Sequence, residues 1–280
     1  MAAPILTGFV DPNPCPRVLV SFGALAAGTV TVTVQRTAEG RTMRVRGGIN
    51  LYASGGAVVM DYECPFGVLT TYQAEQFDTN GLSLGFTGST PIILTVGQAW
   101  IHQPLNPSLA ITARIFIDSA NDISRPTPGG VVWPEGATVG RLIGGQRQGI
   151  HGMALRLRMG SAADADKFLS MFGSYATNYP AVLCIRTPPG MRLPRVLFAG
   201  ILDPHEVDYG VYAMITMAMT VDEVSPPAPG LVMPTLRRKD IDAAYPTRSA
   251  RAAAYPTRLA RDSDYSLRAS LGPWPVRPAG

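Results

Sequence analysis

Asp203, His205, Glu206 and Asp208 fall within one run of six residues, Asp203-Pro204-His205-Glu206-Val207-Asp208. Carboxylates and an imidazole at that spacing could move a proton or hold a divalent cation. The flanks argue for a plainer role. Arg195–Leu202 and Tyr209–Val221 both read as strands, and a polar turn between them accounts for every residue of the run. Asp118-Ser119-Ala120-Asn121-Asp122 also carries carboxylates, but without the ligand spacing of an EF-hand loop. The run Gly140–Gly149 (GRLIGGQRQG) is glycine-rich and basic. A phosphate loop needs GxxxxGK[ST] ahead of a helix. This run lacks the lysine and precedes a strand, so it reads as a surface turn.

The remaining chemistry is dispersed. His102, His151 and His205 are far apart, and neither HExxH nor a Cys/His pair occurs, which argues against a zinc site. There is no GxSxG elbow. Cys15, Cys64 and Cys184 are scattered, odd in number and without CxxC spacing, so they read as buried thiols and not as a disulfide framework. No catalytic residue, cofactor or metal ligand is assigned. A hydrolase would need a positioned nucleophile or paired carboxylates, and a protein that is not an enzyme is expected.

The C-terminal segment is more informative. Ala243–Arg251 reads AAYPTRSAR and Ala253–Arg261 reads AAYPTRLAR. From Leu236 to Gly280 nine basic residues face four acidic ones, so the segment is +5, while the whole chain is +4 and the remainder is −1. A near-neutral body therefore carries a basic arm. Such an arm could neutralise phosphates on a nucleic acid, could be a disordered tail, or could dock on a neighbouring subunit. Docking is favoured. Aspartates interrupt the charge, each repeat tyrosine precedes a proline, and aromatics with arginine are the usual interface anchors. The docking residues are then Tyr245, Arg248, Arg251, Tyr255, Arg258, Arg261 and Tyr265. Two ten-residue units cannot bury a core between them, so the repeat is not a solenoid.

These residues must be held by something. A chain of 280 residues is long enough for one or two domains with sizeable cores. Charged residues are only 16%, against roughly 25% in an ordinary soluble domain, so apolar and neutral polar surface must be exposed or buried against partners. The N-terminus has no basic region followed by an apolar run, and no stretch is long and apolar enough to span a membrane. Twenty-two arginines against two lysines, with abundant Ala, Gly and Pro, imply a GC-rich genome.

Residues 1–98 read as an all-β domain. Arg17–Phe22 is apolar. Thr29–Arg36 alternates, Val30, Val32 and Val34 inward against Thr31, Thr33 and Gln35 outward. Arg41–Arg46, Ala57–Tyr62, Thr70–Asp78 and Ile92–Val96 complete the set, with glycine turns between them. Short strands at this spacing imply a β-sandwich. Residues 87–103 form a joint to a second region, 99–228. There Ala110–Ile117 is a strand and Asp118–Ala137 a long loop. In Gly149–Met159, Met153, Leu155, Leu157 and Met159 share one face. Ser161 caps a helix over Ala162–Phe172 that ends at Gly173. Ala181–Arg186 and Arg195–Leu202 form a hairpin about Pro188-Pro189-Gly190, and Tyr209–Val221 follows. The second region thus reads as a β-sandwich or small barrel with one covering helix. Val224–Gly230 closes it as a stiff linker to residues 229–280.

The stretch Pro65-Phe66-Gly67-Val68-Leu69-Thr70-Thr71-Tyr72-Gln73-Ala74 resembles the late-strand signature of fibronectin type III-like modules, in which a glycine turn precedes a tyrosine and alternating core residues. Such modules are spacers or binders and seldom catalytic. Over most of its length the chain resembles minor tail or distal tail proteins of long-tailed bacteriophages (siphoviruses) of actinobacteria. The likeness is carried by Ala181–Asp203, Tyr209–Val221, Asp222-Glu223-Val224-Ser225-Pro226-Pro227, and the arm with its AAYPTR units and Asp264-Tyr265-Ser266-Leu267. In that family the β-module usually follows the tube-like domain; here it precedes it.

The resemblance implies a fold that is mainly β. A fibronectin III/Ig-like sandwich is followed by a tail-tube-like β domain with one short helix, and then by an extended arm. It implies a structural virion protein of the tail tip or baseplate, made and assembled in the bacterial host cytoplasm. The implied partners are other copies in a ring, a homohexamer or alternatively a trimer, together with the tail tube, the tape measure and other tip proteins. No specific nucleic acid, cofactor or membrane span is implied. The alternative is a carbohydrate- or receptor-binding β-sandwich that contacts host-surface glycan. Trp100, Trp133 and Trp274 lie too far apart in sequence to suggest an aromatic platform for it.

Overall fold

The computed structural model describes residues 2–53, 55–116, 118–173, 177–208, 215–227, 241–242 and 244–255. The fold is mainly β. Residues 5–92 build two antiparallel sheets. One has the order β1 (Ile5–Phe9), β2 (Arg17–Phe22), β6 (Ala57–Asp61). The other runs β4 (Arg41–Arg44), β3 (Thr31–Ala38), β7 (Thr70–Phe77), β8 (Ser83–Phe86), with β5 (Leu51–Tyr52) on β3 and β9 (Thr90–Ile92) on β7. Alternation brings Val18, Val20 and Phe22 from β2, Val32 and Val34 from β3, Val59 from β6 and Tyr72 and Ala74 from β7 into one core. The inward row of β3 continues past the valines to Arg36, which is 2% exposed. Its guanidinium meets both oxygens of Asp61 at 2.7 Å, and the Tyr72 hydroxyl donates to the same carboxylate at 2.7 Å. Asp61 also accepts from the Glu63 amide, and Glu63 accepts from Arg46 at 2.7 Å. A charge sits in a β core at least cost when it is paired and hydrogen-bonded in this way. Thr33, expected on the wet face, is buried as well, and its hydroxyl accepts from the Asn50 amide.

The second body is a barrel. β14 (Met153–Arg158), β11 (Asn106–Ile115), β10 (Ala99–Gln103), β15 (Val182–Arg186), β16 (Val196–Gly200) and β18 (Ile215–Glu223) pair in that order, and β14 closes on β18 over Met153–Arg158 and Thr216–Val221. β17 (His205–Asp208) adds to β18. Met153, Leu155 and Leu157 fill the interior as their spacing predicts, with Leu183, Ile185, Leu197, Met217 and Met219. α1 (Ala162–Ser170) follows the expected cap, the Ser161 hydroxyl accepting from the Asp164 amide. It buries Ala165 and Phe168 against the barrel. Gln103, fully buried, donates to the Met171 carbonyl at 2.7 Å and ties β10 to the end of that helix.

β10 joins the two bodies. All five of its residues are buried, because Ile101 faces the barrel interior while Trp100 faces the first core. Burial on both faces removes the alternation that marks a half-buried strand, so the segment read as a joint. β15 behaves similarly. Leu183 and Ile185 point into the barrel, and Cys184 and Arg186 lie on the other face, opposite His102 and Trp100.

Three other segments depart from expectation. Residues 203–208 are not a simple turn, since four of the six form β17. The run at 140–149 is not a surface turn, since Arg141–Gly144 is β13. The loop 118–137 is not structureless, since Gly129–Val132 is β12 and pairs with β13 in register Val131↔Leu142 and Val132↔Arg141. The stretch Ile92–Val96 yields a strand displaced towards the N-terminus, Thr90–Ile92. Residues 209–214 of the long strand expected before Val221, and the linker from 228 on, lie outside the described residues.

Candidate assembly surfaces

The arm has local structure in the described part of the repeat. Pro246 precedes Thr247, whose hydroxyl accepts from the Ala250 amide at 3.1 Å and caps α2 (Arg248–Ala254). The helix ends at Tyr255, which brings the second repeat tyrosine back to the first. The rings of Tyr245 and Tyr255 meet edge to face, centroids 5.4 Å apart and planes at 86°. Arg251 pairs with Asp242 across the same turn. Tyr245 and Tyr255 are both half-buried, and Arg248 is exposed. The repeat therefore brings Tyr245, Arg251 and Tyr255 together into one knot, with Arg248 on the solvent side. Arg258, Arg261 and Tyr265 lie outside the described residues.

A second surface is built from the long loop 118–137, of a length usually functional or ordered by a partner, and the glycine-rich run after it. The chain leaves the barrel at Ser124 and returns at His151, joined by a bridge between the two. The Gln148 amide donates to the Pro126 carbonyl and the Gly145 amide to the Pro128 carbonyl, each at 2.8 Å, before β12 and β13 take over. The tip is a turn in which the Ala137 amide donates to the Pro134 carbonyl at 3.0 Å, and Gly136 takes φ +77°. Ten residues of extended chain on each side reach roughly 30 Å. Every residue of β12 and β13 is exposed. Val131, Val132, Trp133, Val139, Leu142 and Ile143 are each at least half in water. Isolated scattered apolar residues on a surface are ordinary, but six on one projecting hairpin are not. The sequence did hold a signal, in two apolar runs flanked by glycines about Pro134-Glu135-Gly136.

A third surface is the strand β17. Among the described residues it pairs with β18 on one side and with nothing on the other. Leu202, just before it, is 92% exposed. His205 lies 3.1 Å from Asp203 at this edge. The cluster that suggested proton transfer is thus an open, acidic strand edge.

Between the two bodies lies a buried polar seam. Arg186 is fully buried and donates to the Pro16 carbonyl at 2.7 Å and the Cys64 carbonyl at 3.3 Å, while its guanidinium stacks on Phe66. His102 is fully buried beside it, and neither ring nitrogen has a hydrogen-bond partner among the described residues. Burial pushes His102 well below its ordinary pKa, and the charges of Arg186, Arg46 and Arg36 push the same way. Cys15, Cys64 and Cys184 are all buried free thiols. Burial, then the charge of Asp61, lifts Cys64 to about 11. Gly67 takes φ +66° at this seam, and a Cβ there would run into Pro189 of the β15–β16 turn. A groove of about 260 Å³ opens on the same seam, between Arg41 and Met43 of β4 and Val196, Phe198, Glu223 and Pro226.

His151 is near Asp222 and far in sequence from the other histidines, and among the described residues no group of three His, Cys, Asp or Glu side chains is placed to hold a metal ion. No helix among them is long and apolar enough to cross a membrane. Trp100 is buried and Trp133 exposed, so they form no common platform; Trp274 lies outside the described residues. In comparisons with protein-family models, curated proteins and solved structures, nothing matches this chain.

Proposed function

We propose that this chain is a structural, non-enzymatic virion protein of the tail tip of a long-tailed bacteriophage, a distal tail or minor tail protein. Copies associate into a ring that joins the tail tube to the tip proteins, with the tape measure and other tip proteins as neighbours. The observation that carries the reading is the projection 124–151, whose six large apolar side chains stand in water. An isolated two-stranded hairpin is marginal by itself. Apolar area on such an element has its natural place against a partner. The resemblance of residues 181–203 and 209–227 and of the arm to tail proteins supplies the kind of assembly. The low charged fraction of 16% is consistent with a chain that buries much of its surface against neighbours.

The test is the mass of the purified full-length chain and its appearance by electron microscopy over a range of concentrations. A closed ring, six-fold by the resemblance, is expected. A chain that is monomeric at every concentration, and absent from the tail end of antibody-labelled particles, contradicts the reading.

A further inference from the structure

We infer that the projection 124–151 of one copy docks along the open edge of β17 in the next copy, an inference that rests on the assembly reading above. The two surfaces are complementary in three independent respects. The first is hydrogen bonding. β17 is an edge strand with one described neighbour, and β12–β13 is a two-stranded sheet whose two outer edges are unpaired among the described residues. Exposed strand edges recruit further strands, because each carries a row of unpaired amides and carbonyls. The second is apolar area. Leu202 and Val207 are exposed beside the edge, and Val131, Val139, Leu142 and Ile143 are exposed on the projection. The third is charge. Residues 124–151 carry Arg125, Arg141 and Arg147 against Glu135, whereas residues 202–208 carry Asp203, Glu206 and Asp208 with no arginine or lysine. Opposite fields of this kind select the partner and speed the encounter.

The partner is therefore a second copy of the chain. Each copy offers one projection and one acidic edge, so the contact is head-to-tail. A head-to-tail contact closes into a ring when the rotation per copy divides the circle, and grows into a helix otherwise. The roughly 30 Å reach of the projection is enough to cross from one barrel to the next.

The experiment uses two full-length chains that carry different tags, expressed together. One is Val131→Cys, the other Leu202→Cys, and the native thiols at Cys15, Cys64 and Cys184 are buried and do not compete. A short bis-maleimide is added to the assembled protein. The expected product links one copy of each variant, in preference to two copies of the same variant. Leu142→Cys against Leu202→Cys serves as a second pair in case the first alters the fold. If the particle forms at wild-type size and neither pair links, the docking is wrong while the ring reading stands. If the wild-type chain never assembles, both are wrong.

Discussion

Arg186 of the barrel holds its guanidinium 4.5 Å above the ring of Phe66 in the sandwich. With the bonds to Pro16 and Cys64, that contact ties together two sheet systems that share no strand pairing among the described residues. Arg186→Met keeps the bulk but leaves two buried carbonyls without a donor. Each unmet buried acceptor costs about 1–3 kcal/mol, about 2–6 kcal/mol for the two. Removing a buried guanidinium whose Nε and Nη2 have no hydrogen-bond partner among the described residues offsets part of that, so a net loss of about 2 kcal/mol is expected. Calorimetry of the wild type should give a single transition and the variant two. A variant that still unfolds in one transition would show that the seam is held elsewhere.

Gly67→Val should weaken the same seam by a different route. The position has φ +66° and no room for a Cβ beside Pro189. A β-branched residue there meets both penalties, each of order 1 kcal/mol or more. Urea denaturation should show a lowered midpoint, with Gly67→Ala intermediate between wild type and Val.

Stability should be highest between the ordinary pKa of histidine and that of a thiol. Below pH 6.5 an unfolded chain protonates His102, which the folded chain keeps neutral, so stability falls as pH falls. Above pH 9.0 an unfolded chain releases the Cys64 proton, which the folded chain keeps until about 11, so stability falls as pH rises. Burial raises Tyr72, Cys15 and Cys184 in the same sense. Each such group adds a slope of about 1.4 kcal/mol per pH unit over its window. His102→Leu removes the histidine's share of the acid limb and leaves the alkaline limb unchanged. Denaturation series at pH 5.5, 7.5 and 9.5 separate the two; an unchanged acid limb in the variant would assign it to other groups.

Most of the barrel was legible. Met153, Leu155, Leu157 and Met159 alternate because one face of β14 is wet and the other closed, and Ser161 caps α1 where a polar residue precedes an apolar stripe. Legibility failed where a strand has no dry–wet contrast. β10 is buried on both faces and β12–β13 is exposed on both, so neither shows period two. It failed again at Arg36 and Arg186, whose charge argues for the surface until their partners, Asp61 and the carbonyls of Pro16 and Cys64, are known. Those partners are distant in sequence. The β17 edge was hidden for a related reason, since its polar residues fit a turn as well as an edge strand.

The tyrosine knot of the arm has its own signature. Tyr245→Ala removes the edge-to-face pair with Tyr255, worth about 0.5–1.5 kcal/mol beyond its area. Cleavage by trypsin after Arg248 and Arg251 should become several-fold faster, with the melting of the β bodies unchanged. Thr247→Ala, which removes the cap of α2, should act in the same direction and by a similar amount. Removal of residues 236–280 should leave both β bodies folded and weaken assembly.

The most direct measurement is the mass, by light scattering, of a chain in which residues 129–144 are replaced by a short Gly-Ser turn. The exposed β12 and β13 contribute nothing to either core. The melting temperature should therefore match the wild type, while the wild type forms rings and the shortened chain stays monomeric. A shortened chain that assembles as the wild type does would contradict the role given to the projection.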